Sequence, residues 1–307
     1  MIGKICGTGS YVPVEYMDNH ELSRTVETSD EWIRERTGIV KRHIAKEDTT
    51  VSMAVKAAKQ ALTDSELCEE EIDLLIVSTI SSNVILPCTA CEVQKEIHAI
   101  NATCFDLNAA CTGFLFAYNT AQAYIAAGMC KNVLLIGAEC LSTLIDWKDR
   151  TTCILFGDGA GAVVLRAEKG NLYRTVSCSD GRKGTALTCD TGDYIKMNGQ
   201  EVFKFAVRQV PEAIAGVLKE NNLKEEDIAH FILHQANRRI VEAVARRMNV
   251  ELDKFPMNLQ EYGNTSSASI PLLLDEMNRQ GKLKRGQKLI LAGFGAGLSW
   301  GASVLEW

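Results

Sequence analysis

Apolar positions along the chain fall into two rhythms. Residues 51–62 carry apolar side chains at helical spacing, and a short unbroken apolar run follows at 74–78. The same pairing recurs. Residues 112–128 read as a long helix, 133–136 as a strand and 161–165 as a Val-rich strand. Later, 230–233 reads as a strand, and 237–248 and 269–279 read as helices. Short apolar strands with no polar alternation are buried on both faces, so helices must cover both sides of a sheet.

A repeat organises these elements. Ala61-Leu62, Leu67 and the run from Glu70 to Val77 are echoed by Val217-Leu218, Leu223 and the run from Glu226 to Leu233, at one offset (217 − 61 = 156). Each copy is a helix, a polar turn and a buried strand. Residues 131–137 echo 287–293, and 161–165 echo 301–305, in the same order. The pattern predicts an α/β protein of two similar βαβαβ halves, 1–168 and 169–307, whose helices pack against each other in α/β/α/β/α layers. The competing architecture is one large doubly wound sheet. In either case sites are expected at strand ends.

Composition narrows the classes. With 46% hydrophobic and 23% charged residues, 307 residues suffice for a large core. No apolar run approaches the length that spans a bilayer, and Met1-Ile2-Gly3-Lys4-Ile5 leads straight into a strand, so neither a membrane span nor a secretory leader is expected. The net charge, 33 − 39 = −6, argues against nucleic-acid binding. Eleven cysteines, odd in number and irregularly spaced, read as mostly buried free thiols in a reducing, cytoplasmic setting. Cys88 and Cys91 have C-x-x-C spacing, but no second pair or histidine pair accompanies them, and two small packing residues at a helix start explain them as well. No metal is expected.

Chemistry concentrates at a few places. Cys111 lies in Asn108-Ala109-Ala110-Cys111-Thr112-Gly113-Phe114, at the N-terminus of the predicted helix, where unpaired N–H groups and the helix dipole favour a thiolate. The repeat sets Ser267 opposite it (111 + 156 = 267), in Tyr262-Gly263-Asn264-Thr265-Ser266-Ser267. Asn264 would then approach Cys111 from the second half, although it also suits a plain turn after Gly263. His234 ends the strand 230–233, at the end where α/β sites form, and it suits a structural role too. Phe156-Gly157-Asp158-Gly159-Ala160 and Phe294-Gly295-Ala296-Gly297 precede strands. They therefore do not form a dinucleotide fingerprint, and they fit close packing or a backbone N–H aimed at an oxyanion. Arg238, Arg239, Arg246 and Arg247 face a single acid, Glu242. This is either a solvated face or a surface for an acidic partner. Trp32 with Arg34, Arg36, Lys41 and Arg42 could hold a nucleotide by stacking and phosphate pairing.

Taken together, in order and over the whole chain, the Cys111, Phe156–Ala160, His234-Gln235-Ala236-Asn237, Asn264 and Phe294–Gly297 motifs resemble β-ketoacyl-acyl carrier protein synthase III, of the thiolase-like superfamily. The resemblance implies the two-half thiolase fold, a homodimer and no cofactor. It implies a decarboxylating Claisen condensation of an acyl-CoA primer with malonyl-acyl carrier protein, which initiates fatty-acid synthesis. Cys111 would carry the acyl group. Its N–H and that of Ala296, where the family usually has glycine, would form the oxyanion hole. His234 and Asn264 would stabilise the enolate formed on decarboxylation.

By the same resemblance, Trp32 and Arg150 sandwich the adenine of coenzyme A and Arg36 holds phosphate, with Thr28, Gly199 and Asn237 along the tunnel. Lys204, Arg239, Arg246 and Arg247 form the carrier-protein docking patch. Leu86 corresponds to the residue that closes the partner's acyl pocket. Phenylalanine is common there in acetyl-preferring relatives, so leucine implies room for longer primers. The remaining alternatives are a starter-unit enzyme or acyltransferase of secondary metabolism and a cysteine thioester hydrolase.

Overall fold

The computed structural model describes residues 1–307. The chain opens with β1 (Ile2–Tyr11). An insert follows in which β2 (Tyr16–Asp18) and β3 (Lys41–His43) pair antiparallel around α1 (Asn19–Leu22) and α2 (Asp30–Thr37). The first half continues with α3 (Thr50–Ser65), β4 (Leu74–Ser78), α4 (Thr89–Ile97), β5 (Thr103–Leu107), α5 (Gly113–Ala126), β6 (Asn132–Glu139), α6 (Arg150–Cys153) and β7 (Gly159–Glu168). The second contains β8 (Val176–Ser179), the hairpin β9 (Leu187–Thr188) and β10 (Lys196–Met197), and α7 (Gly199–Glu220). It ends with β11 (Ile228–Leu233), α8 (Arg238–Met248), α9 (Leu259–Tyr262), α10 (Ser269–Arg279), β12 (Lys288–Gly295) and β13 (Ser299–Glu306).

Two sheets result, in the orders β1-β7-β6-β4-β5 and β11-β12-β13-β8. They correspond strand for strand. β4 runs parallel to β6 as β11 does to β12, β7 with β1 and β13 with β8 continue each sheet antiparallel, and β5 adds a parallel edge strand to the first sheet only. The offset of 156 holds to the residue, since β6 at 132–139 maps onto β12 at 288–295. The halves differ at β5, whose counterpart at residue 259 (103 + 156) is the short helix α9. That stretch follows Pro256 and holds no β-branched residue, so little favours a strand there.

Strand pleating sorts the core into layers. Leu74, Ile76, Val133 and Leu135 face inward with Leu289, Leu291 and Ile232, onto α5 and α10. Leu75, Val77, Leu134 and Ile136 face α3 and α4, while Phe231, Leu233, Ile290 and Ala292 face α7 and α8. The order is therefore helix, sheet, helix pair, sheet, helix, as the repeat predicts. α5, apolar nearly all round, is the buried centre.

The predicted helix from residue 112 begins one residue later. Ala110 takes φ +47°, and Ala110–Thr112 forms a 3₁₀ turn that carries Cys111 ahead of α5. Its mate, Ser266–Ala268, begins with Ser266 at φ +49°. A positive φ is costly for both residues and breaks α geometry, so each turn must be held by its surroundings. Glycines supply the fit. A Cβ on Gly137 of β6 would lie 2.3 Å from the Ser267 carbonyl oxygen, and one on Gly293 of β12 would lie 3.2 Å from Thr112 Cα. These glycines are themselves repeat mates (137 + 156 = 293). Each half's turn therefore rests on the other half's central strand.

The thiols depart from the expectation. Only Cys111, Cys130, Cys140 and Cys153 are buried, and Cys68 and Cys189 are exposed. The rest lie half-covered on strand faces, turns and helix ends, where apolar neighbours in sequence do not ensure burial. Cys88 and Cys91 sit at the start of α4 with sulfurs 3.4 Å apart, both free.

Gly137→Ala should destabilise the fold by about 1–3 kcal/mol, because the neighbour it meets is backbone. Urea unfolding would show this as a lower midpoint at unchanged slope, and an unchanged midpoint would contradict the reciprocal packing.

Candidate active site

A cavity of about 1010 Å³ reaches from the surface to Cys111. At its floor lie Cys111, His234, Asn264, Phe294 and Gly295. Its walls include Trp32 and Arg36 of α2, Arg150 of α6, Lys196 of β10, Gly199 and Lys204 of α7, and Asn237 and Arg239 at the head of α8. Five lining side chains are Lys or Arg and none is Asp or Glu, on a chain whose net charge is −6. Such a wall selects an anionic ligand.

Cys111 is 7% exposed. The expected lowering of its pKa is not met in the resting site. Burial pushes the thiol up to about 11. The 3₁₀ turn sets the sulfur ahead of α5, where desolvation outweighs the helix terminus. Gly295 permits the approach of the opposite strand, since a Cβ there would lie 2.8 Å from Cys111 Cβ and 3.3 Å from its sulfur.

His234 directly follows β11, is fully buried and packs edge-on against Phe294 at 5.1 Å. Burial alone pushes its pKa down to about 3, so the ring is neutral. Nδ1 lies 2.7 Å from Ser269 Oγ, which also accepts the Gln235 N–H at 3.3 Å. That network directs the serine hydroxyl proton to Nδ1 and assigns the ring proton to Nε2. Asn264 is held from every side. Its N–H donates to Leu155 O, its carbonyl accepts from Gly157 N–H, and its Oδ1 accepts from Ser266 N–H at 2.9 Å. Its Nδ2 remains as the uncommitted polar group. His234 and Asn264 thus both present donors, without charge.

The other predicted residues separate into two groups. Trp32, Arg36, Arg150, Gly199, Asn237, Lys204 and Arg239 line the cavity. Arg150 stacks on Trp32 at 5.3 Å and donates to Glu27 O, so an adenine between them must displace one of the pair. Asn237 caps α8 and donates to Arg36 O, tying α2 to the site. Thr28, Leu86, Arg246, Arg247 and Ala296 do not line the cavity. Thr28 Oγ1 is buried without a partner. Leu86 and its neighbour Ile85 are 87% and 91% exposed. Arg246 and Arg247 lie exposed in the last turn of α8, with Arg247 near Glu212. Ala296 is half-buried in the turn after β12, its carbonyl accepting from Ser299 Oγ.

Sequence reasoning missed Lys196 and Ser269. Lys196 reaches the cavity through a small hairpin that left no periodic signal. Ser269 was visible as a polar residue at a helix start, but its partner His234 lies 35 residues away.

His234 also links stability to pH. Its folded pKa lies below the usual unfolded value of about 6.5, so the unfolded chain takes up the proton first. Stability is full above that value and falls as pH drops from there towards 3, by up to ~1.4 kcal/mol per unit. Urea titrations should show this slope reduced in His234→Gln, and equal slopes in the two proteins would contradict a buried neutral ring.

Comparisons with known proteins give the family and the fold. The family model described as 3-Oxoacyl-[acyl-carrier-protein (ACP)] synthase III matches residues 105–181, and its C-terminal counterpart matches 218–307. Beta-ketoacyl-[acyl-carrier-protein] synthase III of Clostridium acetobutylicum is 48% identical over 99% of this chain and 98% of its own. The crystal structure of 3-oxoacyl-[acyl-carrier-protein] synthase III from Aquifex aeolicus superposes with a TM-score of 0.97 at 45% identity, covering 99% of this chain and all of that one. The priming β-ketosynthase of the R1128 polyketide pathway superposes with a TM-score of 0.95 at 34% identity, over 99% and 96% of the two chains. The chain belongs to the β-ketoacyl-acyl carrier protein synthase III family, condensing acyltransferases of the thiolase-like superfamily.

Proposed function

We propose that this enzyme condenses an acyl-CoA primer with malonyl-acyl carrier protein and so initiates fatty-acid biosynthesis, through an acyl group carried on Cys111. The observation that carries the reading is the pair of uncharged donors, His234 and Asn264, beside a buried thiol in a cavity walled by cations. The cations suit the phosphates of coenzyme A and of a carrier-bound phosphopantetheine. Trp32, Arg36 and Arg150 would hold the nucleotide end, with Gly199 and Asn237 along the tunnel. Lys204 and Arg239 at the mouth, with Arg246 and Arg247 on α8, would meet the acidic carrier protein. No cofactor enters this chemistry.

Cys111 attacks the primer thioester, and the negative charge on the carbonyl oxygen is taken by the N–H groups of Cys111 and Ala296. The bond from that carbon to the sulfur of coenzyme A then breaks, and coenzyme A leaves as the thiol, balancing the proton that Cys111 gives up. Malonyl thioester then binds with its oxygen at His234 Nε2–H and Asn264 Nδ2–H. Loss of carbon dioxide leaves an enolate, whose charge builds on that oxygen. Neutral donors stabilise it, and a carboxylate in the same place would repel it. The carbanion attacks the acyl carbon on Cys111 and the β-ketoacyl carrier protein leaves.

β5 is the open edge of its sheet, with Phe105 and Leu107 only half-covered and Ile100 exposed nearby. A second copy pairing there would give a homodimer and cover exposed Leu86. No helix is long and apolar enough to cross a membrane, and we place the enzyme in the cytoplasm. A starter-unit role in secondary metabolism is favoured by one observation, the likeness to a polyketide priming enzyme. A thioester hydrolase fits less well, because no carboxylate lines the cavity to activate water.

His234→Ala or Asn264→Ala should slow malonyl decarboxylation by about 10²–10³, the usual effect of losing one oxyanion donor, and acyl transfer to Cys111 far less. Labelled carbon dioxide release and single-turnover acylation measure the two steps. Equal losses in both would overturn the assignment. If Leu86 leaves a roomy acyl pocket, a primer panel should show turnover beyond acetyl-CoA, and turnover with acetyl-CoA alone would contradict it.

A further inference from the structure

Arg42, the middle residue of β3, has no exposure to solvent and does not line the cavity. The nucleotide role expected of it from Trp32 and its neighbouring cations therefore falls away, and the condensation described above does not use it. Its guanidinium makes three hydrogen bonds, all to neutral oxygens. Nη1 donates to Met17 O of β2 at 3.1 Å. Nη2 donates to Asn19 Oδ1 of α1 at 2.9 Å and to Ile154 O, just past α6, at 2.8 Å. The carboxylate of Asp30 is reached only through Asn19, whose amide donates to it at 2.9 Å. Burial pushes the pKa of the guanidinium down to about 10, so it stays charged at neutral pH.

A buried cation without a paired anion is a poor source of stability, and an apolar side chain of the same length would fill the space at lower cost. What the cation provides is a planar fork of donors that joins three segments at fixed angles. One of these segments leads directly to the site. Ile154 is followed by Leu155, whose carbonyl accepts from the Asn264 N–H at 2.8 Å, and by Gly157, whose N–H donates to the Asn264 carbonyl at 3.1 Å. The stem of Arg42 lies against the same place. A Cβ on Gly157 would lie 3.0 Å from Arg42 Cβ, and one on Gly263, the residue before Asn264, would lie 3.1 Å from it. Backbone bonds flank the contact. Val40 N–H donates to Gln260 O at 2.9 Å, and Asp158 N–H donates to His43 O at 2.9 Å. β3 is thus tied to both segments that hold Asn264.

We propose that Arg42 is a positioning residue for Asn264, an inference that rests on the enolate-stabilising role read for Asn264. The backbone around Asn264 either packs on Arg42 or is bonded to the segment that Arg42 holds, so the cation sets where Nδ2 stands over the malonyl thioester. The other two reactive side chains are held differently. His234 is oriented by Ser269, and Cys111 is seated against Gly295, neither of them a hydrogen-bond partner of Arg42. Loss of Arg42 therefore displaces Asn264 and leaves the nucleophile where it is.

The test uses Arg42→Met, which keeps the length and removes the charge and the donors, and Arg42→Lys, which keeps the charge and loses the fork. Each is made alone and together with Asn264→Ala. Single-turnover acylation by acyl-CoA counts the competent Cys111 sites, and labelled carbon dioxide release from malonyl-carrier protein is then measured per acylated site. Release per site should fall by about 10–10²-fold in both variants, the scale on which a misplaced group costs rate, while acylation changes far less. In the Asn264→Ala background each substitution should add almost nothing, because the amide that Arg42 positions is already gone. A purely structural role would lower both steps alike and add its full effect to Asn264→Ala. That result, unchanged release, or a failure of both variants to fold would overturn the role of Arg42 and leave that of Asn264 standing. Unchanged release in Asn264→Ala itself would overturn the reading on which the role rests.

Discussion

The structure depends on one reciprocal contact. Each half offers a turn that begins with a residue at positive φ, and each turn is seated on a glycine of the opposite half's central strand. Gly137 receives the turn with Ser267, and Gly293 receives the turn with Cys111, with Gly295 admitting the Cys111 side chain itself. Backbone lies against backbone, so there is no side chain to give way. Cys111 and Asn264 come from different halves, and their separation is set by this seating. The strain at Ala110 and Ser266 is tolerated because the seating leaves the turns no alternative.

Desolvation then sets the electrostatics. The same burial that fixes the turns raises the Cys111 thiol and lowers His234. A resting thiol and a neutral imidazole follow directly. Two neutral donors over a growing enolate are the outcome that suits decarboxylation, and the charge that does line the cavity is all positive and lies toward the mouth. Burial thus distinguishes an uncharged floor from an exposed, cationic entrance.

Much of this was legible in the amino-acid order. The repeat placed β6 against β12 to the residue and the start of α5 against the start of α10, because apolar strands and their flanking turns are written locally. Cys111, His234 and Asn264 were each ambiguous alone; the offset that faced Ser267 with Cys111 brought in Asn264, and the resemblance of the ordered motifs joined His234 to them. What was not legible depended on long-range packing. The 3₁₀ turn at Ala110 arises from the seat on Gly293 and leaves no local signal. The raised thiol pKa is a consequence of burial by the other half, whereas the helix-terminus argument sees only the residues that follow. Ser269 meets His234 across 35 positions of chain. Leu86 is exposed, and no local pattern in the sequence marks what would cover it.

The central claim is that Cys111 holds the acyl group between two half-reactions. Intact-protein and peptide mass spectrometry measure it most directly. Mixing with acyl-CoA should add one acyl mass to the Cys111 peptide and to none of the other ten cysteines, and malonyl-acyl carrier protein should then remove it as a β-ketoacyl product. An unmodified Cys111, or an adduct that only water removes, would contradict the account.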